Sequence, residues 1–117
     1  MKINEVIRAA DSIAKNAFSL SEKAFPIQRL EERLRKEFND EEIVLSYPED
    51  EEKELFLPSR YTEIYIYCLV AMIFFWQKDY AEYNNNIALY TSMLEDFRRE
   101  TAQKNAKTPS HFKNLFG

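Results

Sequence analysis

Glycine, cysteine and histidine are nearly absent from this chain of 117 residues, where each occurs once, as Gly117, Cys68 and His111. Without internal glycine, the chain cannot form the glycine-rich loops that bind phosphate groups. A single cysteine excludes an intrachain disulfide and indicates a reducing compartment. One cysteine and one histidine are also too few ligands for a zinc site.

Long apolar segments are missing as well. The longest apolar run covers residues 64–76, which is 13 residues, whereas a membrane-spanning helix needs about 20. We therefore expect a buried helix there and no membrane span. The first twelve residues carry charges throughout and have no apolar core, so we expect no signal peptide and synthesis in the cytosol.

What the chain does contain favours helices. Hydrophobic residues make up 45% and charged residues 31% of the sequence, a balance typical of soluble globular proteins. Folds rich in sheet use glycine in their tight turns, so one glycine argues against them. The length suits one domain with a modest core.

Apolar spacing predicts a first helix over residues 4–16 and a second from the N-cap Ser21 to residue 38. Pro26 is expected in the first turn of the second helix or at its true start. We expect Glu31 and Arg35 to pair on the exposed side of that helix. The predicted buried positions are Ile3, Val6, Ile7, Ala10, Ile13 and Ala14 in the first helix, and Ile27, Leu30, Leu34 and Phe38 in the second.

An acidic loop (residues 39–58) follows the second helix. Eight acids and one lysine lie between residues 39 and 54, a net charge of −7. Two short β-prone runs, around residues 43–45 and 55–57, fit either a small β-hairpin or an extended loop. The acids lack the alternating spacing and the central glycine of a calcium-binding EF-hand, so a solvated charged loop is the simpler interpretation.

The third helix is predicted from the N-cap Ser59 to about Gln77, and it carries two apolar stripes. One stripe consists of Tyr61, Tyr65, Cys68, Met72 and Phe75, and the other of Ile66, Leu69, Ile73 and Trp76. A helix on the surface of a core needs one stripe. Two stripes therefore indicate a helix clamped between its own domain and something else.

The fourth helix is predicted to begin at Asp79, with Glu82 completing a capping box, and to fray near Asn105. Its buried seam is expected to contain Tyr80, Tyr83, Ile87, Tyr90, Leu94 and Phe97, and its wet face Glu82, Asn85, Asn86, Ser92, Glu95 and Arg99. The connection to the third helix is so short that the two should form an antiparallel hairpin.

Together these segments predict an all-α fold: one small bundle of about four helices over residues 1–105, ending in a long helical hairpin. Residues 106–117 form a tail with three large apolar groups, Phe112, Leu115 and Phe116. Tails are ordinarily polar, so these groups favour docking, either on the domain or on a partner.

Catalytic chemistry is poorly represented. Cys68 and His111 could in principle form a nucleophile–base pair, but a cysteine in the middle of an apolar helical stripe behaves as a small hydrophobe. We expect no enzyme, no cofactor and no metal.

A pattern running through most of the chain carries a resemblance to a known family. Residues 57–97 read LPSRYTEIYIYCLVAMIFFWQKDYAEYNNNIALYTSMLEDF, and residues 3–34 read INEVIRAADSIAKNAFSLSEKAFPIQRLEERL. This arrangement resembles the head–tail connector proteins (adaptor or head-completion proteins) of tailed phages and prophages. The resemblance is carried by Tyr65, Tyr67, Ala71, Met72, Tyr83, Asn84 and Phe97.

The resemblance implies a structural protein of the virion, assembled in the host cytoplasm at the head–tail interface. Such adaptors form rings, typically of twelve subunits, beneath the portal protein and beside other connector and tail proteins, and DNA passes through without sequence-specific binding. A ring subunit needs a face for its neighbour, which we place at Ile66, Leu69, Ile73 and Trp76. Because DNA affinity is largely electrostatic, we place Glu49, Asp50, Glu51 and Glu52 at the channel or its rim. We expect Phe112, Leu115 and Phe116 to anchor the subunit to the portal or to a neighbour.

A second class of function fits the same residues. A cytosolic helical module that binds or regulates a partner protein would also present an apolar helix face. Size measurement and electron microscopy separate the two, since rings favour the connector and a dimer without affinity for the portal favours the module.

Overall fold

The computed structural model describes residues 1–106, which form four α-helices in chain order: α1 (Ile3–Ile13), α2 (Leu20–Asn39), α3 (Glu63–Trp76) and α4 (Tyr80–Ala106). A short 3₁₀ turn at Ser59–Tyr61 precedes α3. Residues 1–106 contain no β-strand. The all-α prediction is confirmed, and of the two alternatives for residues 43–57 the irregular loop is the one found.

Helix α3 lies at the centre of the molecule and contacts all three other helices. Helices α1 and α2 pack against each other and against α3, and α4 packs chiefly on α3. The buried residues of α3 are Ile64, Tyr65, Leu69, Val70, Ala71 and Ile73. Of the nine residues in the two predicted stripes, only Tyr65, Leu69 and Ile73 are buried, whereas Phe75 is 45% exposed and the others are half-buried. The expectation that something outside this chain covers part of α3 therefore stays a prediction.

Helix α2 begins earlier than predicted because its N-cap is Ser19 and not Ser21. The Ser19 hydroxyl accepts a hydrogen bond from the Glu22 amide at 3.1 Å, and the Glu22 carboxylate accepts one from the Ser19 amide at 3.3 Å. This reciprocal capping box satisfies two otherwise orphan donors. As a result Pro26 lies inside the helix, contrary to the expectation that it would occupy the first turn.

Helix α1 ends at Ile13, three residues before its predicted end. Its buried residues Ile3, Val6, Ile7 and Ala10 match the prediction. Ile13 does not, since its side chain is 51% exposed.

The α3–α4 hairpin is confirmed, and its turn has a recognisable structure. The Lys78 amide donates to the Phe75 carbonyl at 3.0 Å and the Asp79 amide to the Phe74 carbonyl at 2.9 Å, which is the Schellman pattern of helix ends. Lys78 occupies the left-handed region with φ 64°. Asp79 then caps α4, accepting a bond from the Glu82 amide at 3.2 Å.

Only part of the predicted seam of α4 is buried. Leu94 and Phe97 are buried, whereas Tyr80 is 53% exposed. Asn86, expected on the wet face, is buried instead, and its side-chain nitrogen donates to the Glu82 carbonyl at 2.8 Å. This bond to the preceding turn of its own helix gives one N–H group of the amide a partner inside the protein.

An aromatic cluster joins the loop to both long helices at one end of the bundle. It consists of Phe38, Phe56, Tyr61 and Phe97, whose contacting ring centroids lie 4.9–6.3 Å apart. The Tyr61 hydroxyl also donates to the Glu100 carboxylate of α4.

Among residues 1–106, no helix combines the length and the apolar character that crossing a bilayer requires.

Candidate interaction surfaces

The base of the acidic loop is fixed by one buried carboxylate, Glu31 of α2, which is 0% exposed. One of its oxygens accepts from the Tyr65 hydroxyl at 2.6 Å, and the other accepts from the Phe56 amide at 2.7 Å. Arg35 donates to the same carboxylate at 2.9 Å. The Tyr65 hydroxyl in turn accepts from the Leu57 amide at 2.9 Å.

The Glu31–Arg35 pair was expected on the exposed side of α2, and that expectation was wrong. Residues 55–57 fold back over α2 and cover Glu31. A signal for this was present in the sequence, because Glu31 lies four residues after Ile27 and three before Leu34 and so shares their helix face. Burial and the adjacent charge of Glu31 raise the pKa of Tyr65 above its usual range. The hydroxyl therefore stays protonated and donates to Glu31.

The four acids predicted at the channel or its rim lie together in the turn formed by residues 47–52. Asp50 accepts from the Ser46 amide at 2.8 Å, which with Lys53 keeps its pKa below the usual range. Glu51 accepts from Asn4 at 3.2 Å, and Glu52 pairs with Lys2 at 3.1 Å.

Further along the loop, Glu54 pairs with the amino group of Met1 at 2.6 Å. The loop therefore rests against the start of α1, and its acids are partly neutralised there. Glu49 forms no hydrogen bond or ion pair within residues 1–106 and is exposed.

The four residues predicted as one intersubunit face do not form a single surface. Leu69 and Ile73 are 0% exposed and belong to the hydrophobic core. Ile66 and Trp76 are half-buried and lie in two different grooves. The available apolar surface is therefore arranged differently from the prediction.

The first groove lies between α2 and α3 and has a volume of about 300 Å³. This α2–α3 groove is lined by Phe25, Pro26, Arg29, Arg33, Cys68, Met72 and Trp76. Burial raises the pKa of Cys68 to about 11, so its thiol is protonated at neutral pH and is a poor nucleophile. The groove is suited to contact an apolar surface with a nearby acid.

The second groove lies between α1 and α3 and has a volume of about 280 Å³. This α1–α3 groove is lined by Ala9, Ser12, Ile13, Glu63, Ile66 and Tyr67. At roughly 100° per helical residue, the residues that α3 gives to the two grooves point about 170° apart. The chain thus presents two unlike apolar grooves on opposite sides of α3.

The predicted tail residues Phe112, Leu115 and Phe116 lie outside the described residues, as does His111. Within residues 1–106, no group of three or more histidine, cysteine, aspartate or glutamate side chains is placed to hold a metal ion. Comparison of the chain with known protein families, curated proteins and solved structures gives no match.

Proposed function

We propose that this protein is a head–tail connector of a tailed phage or prophage, a subunit that joins a ring beneath the portal protein. The observation that carries the proposal is the pair of unlike grooves on opposite sides of α3. The sequence resemblance of residues 3–97 to that family supplies the kind of assembly.

A ring places specific demands on its subunit. Each copy must offer one surface to the copy before it and a different surface to the copy after it, since repetition of one head-to-tail interface closes a ring. A symmetric dimer needs only one self-complementary patch. Two different grooves facing away from each other meet the first requirement.

The acidic loop supports the same proposal. Negative side chains near a DNA channel repel phosphates, so the duplex slides without adhering. Such a surface functions only if it keeps its position, and the hydrogen bonds that Glu31 accepts from the Tyr65 hydroxyl and the Phe56 amide hold the base of the loop on α2 and α3. We place the turn at residues 47–52 at the channel or its rim, in a virion that assembles in the host cytoplasm.

The test is direct. The purified chain is added to rings of the portal protein encoded in the same genome, and the particles are imaged by electron microscopy and weighed by mass photometry. We expect an added ring with one copy of the chain per portal subunit, typically twelve. Portal rings that gain no mass at saturating protein contradict the proposal.

A partner-binding module of the cytosol is the second candidate, favoured by the aromatic and basic α2–α3 groove. A helix with apolar and acidic residues would suit that groove. The same experiment separates the candidates, since a module forms no ring and leaves the portal unchanged.

A further inference from the structure

We propose that Phe25, with the two arginines beside it, docks into the α1–α3 groove of a second copy of this chain. The proposal deepens the proposed function, on which the closed ring rests, by naming the two surfaces that meet between neighbours. It is carried by one exposed aromatic side chain, one groove with small residues and one set of complementary charges.

Phe25 has the character of an interface anchor. Its side chain is 59% exposed on α2, and the guanidinium of Arg29 lies 5.8 Å from its ring centroid. Aromatic residues and arginine dominate the binding energy of protein interfaces. An exposed phenylalanine stacked with an arginine is therefore a surface prepared for burial.

The α1–α3 groove has room for this ring. Ala9 and Ser12 contribute small side chains, and Ile13, Ile66 and Tyr67 supply apolar contact area. The groove measures about 280 Å³, whereas an apolar cavity of roughly 150 Å³ already binds benzene. Ile13, 51% exposed, would be covered by the docked ring.

Charges at the two surfaces are complementary and largely unused. Glu63 lines the α1–α3 groove and is exposed, and within residues 1–106 it forms no ion pair. Arg33 likewise forms none in that part of the chain, and Arg29 has only a 3.7 Å contact with Glu32. Docking of Phe25 would bring these arginines to Glu63 of the neighbouring copy. Complementary charges of this kind set register and partner choice.

The two surfaces also lie on opposite sides of α3, so the contact cannot be symmetric. Phe25 of one copy fills the α1–α3 groove of the next copy, and Phe25 of that next copy stays free to dock in turn. This head-to-tail geometry propagates, and it closes when the rotation between copies permits.

Charge reversal tests the pairing. One variant carries R29E and R33E, and the other carries Glu63→Arg. In analytical ultracentrifugation we expect each variant alone to self-associate at least about tenfold more weakly than the natural chain, because like charges then face each other. An equimolar mixture should regain association, since alternating copies restore opposite charges at every contact. Glu95→Arg, on the exposed side of α4, is the matched control and should associate normally.

Cysteine cross-linking tests the geometry. A Ser12→Cys chain mixed with a Phe25→Cys chain should give a mixed disulfide under mild oxidation, and neither chain alone should cross-link efficiently. The natural chain, with Cys68 only, and Ser92→Cys on the exposed side of α4 serve as controls. The three cysteine variants should keep the far-ultraviolet circular dichroism of the natural chain, because the changed side chains are exposed.

Three results would overturn this inference: charge-reversed variants that each associate normally on their own, Phe25→Cys chains that cross-link chiefly with themselves, or a natural chain that does not self-associate even at millimolar concentration. None of them bears on the portal experiment. Rings on the portal without this contact would leave the proposed function standing with a different interface.

Discussion

Glu31 is the residue on which the position of the acidic loop depends most. Its carboxylate takes hydrogen bonds from Tyr65, Arg35 and the backbone of residue 56. Burial of a charge is costly unless its partners are in place, and here each of them is. The network therefore contributes through its completeness, and loss of one member leaves the others unsatisfied.

Replacement of Tyr65 by phenylalanine tests this dependence. The change removes one hydroxyl that donates to Glu31 and accepts from the Leu57 amide, and it leaves both groups buried and short of a partner. We expect the free energy of unfolding to fall by about 1–3 kcal/mol, measured by urea denaturation. Tyr80→Phe, at an exposed position, is the control and should unfold at the natural urea concentration. Equal midpoints for both variants would show that the network contributes little.

At the scale of helices and turns, the sequence predicted best those features that depend on neighbouring residues alone, such as helix ends and short connections. The short connection between α3 and α4 was enough to predict their hairpin. Asp79 caps α4 by accepting from the Glu82 amide, but its own amide donates to the Phe74 carbonyl, so only half of the predicted capping box is formed. The choice between Ser19 and Ser21 was missed, although Ser19 has the glutamate three residues later that a capping box requires. Burial of Glu31 and Asn86 was missed. Glu31 shares a helix face with Ile27 and Leu34, but helical periodicity does not show which segment covers that face, because tertiary packing decides it.

The hairpin turn carries the clearest prediction at this scale. Lys78 has φ 64°, a left-handed conformation that costs a residue with a Cβ atom roughly 1–2 kcal/mol. Lys78→Gly should remove that strain and raise the free energy of unfolding by about 0.5–1 kcal/mol, after the entropy that glycine adds to the unfolded chain. Thermal unfolding by calorimetry measures it, and Lys78→Ala is the control. A Lys78→Gly melting temperature no higher than that of Lys78→Ala would contradict the prediction.

At the scale of the whole molecule, the sequence did not predict how the other three helices are arranged around α3. The stripe pattern placed Leu69 and Ile73 on an intersubunit face, whereas both lie in the hydrophobic core. Periodicity identifies apolar faces and says nothing of which helix lies against each one. For that reason the fold class was confirmed, whereas the predicted face of four residues was divided among the core and two grooves.

Acid should destabilise the molecule as a whole, because the folded structure lowers the pKa of several carboxyl groups. The pKa values of Glu37, Glu54 and Glu100 are all lowered from the usual 4.5. Glu37 accepts hydrogen bonds from Arg98, Glu100 accepts one from the Tyr61 hydroxyl, and Glu54 pairs with the amino group of Met1. The folded chain thus binds fewer protons than the unfolded chain, and stability falls as pH drops below about 4.5. Melting temperatures between pH 7 and pH 3 measure the effect. Arg98→Met should flatten the decline, and a melting temperature constant down to pH 3 would contradict the mechanism.

The acidic loop gives a prediction that depends on the proposed function. Lysine in place of Glu49, Asp50, Glu51 and Glu52 turns a repulsive surface into one that attracts phosphates. We expect DNA ejection or retention to fail and phage titre to drop at least about tenfold, with a weaker effect at high salt. Glutamine at the same four positions is the control, since it removes charge without adding attraction. Unchanged titre with the lysine variant would remove the loop from the DNA channel.

The three-residue turn between α3 and α4 has one more consequence, which concerns exchange of helices between chains. α4 packs chiefly on α3, and short strained hinges favour domain swapping. If Lys78 relaxed to helical angles, residues 63–106 would form one continuous helix of 44 residues, about 66 Å long at 1.5 Å per residue. Its α4 half would then cover the α3 of another copy with the same contacts. Swapped dimers are accordingly the misassembled form to look for in concentrated protein, and Lys78→Gly should suppress them.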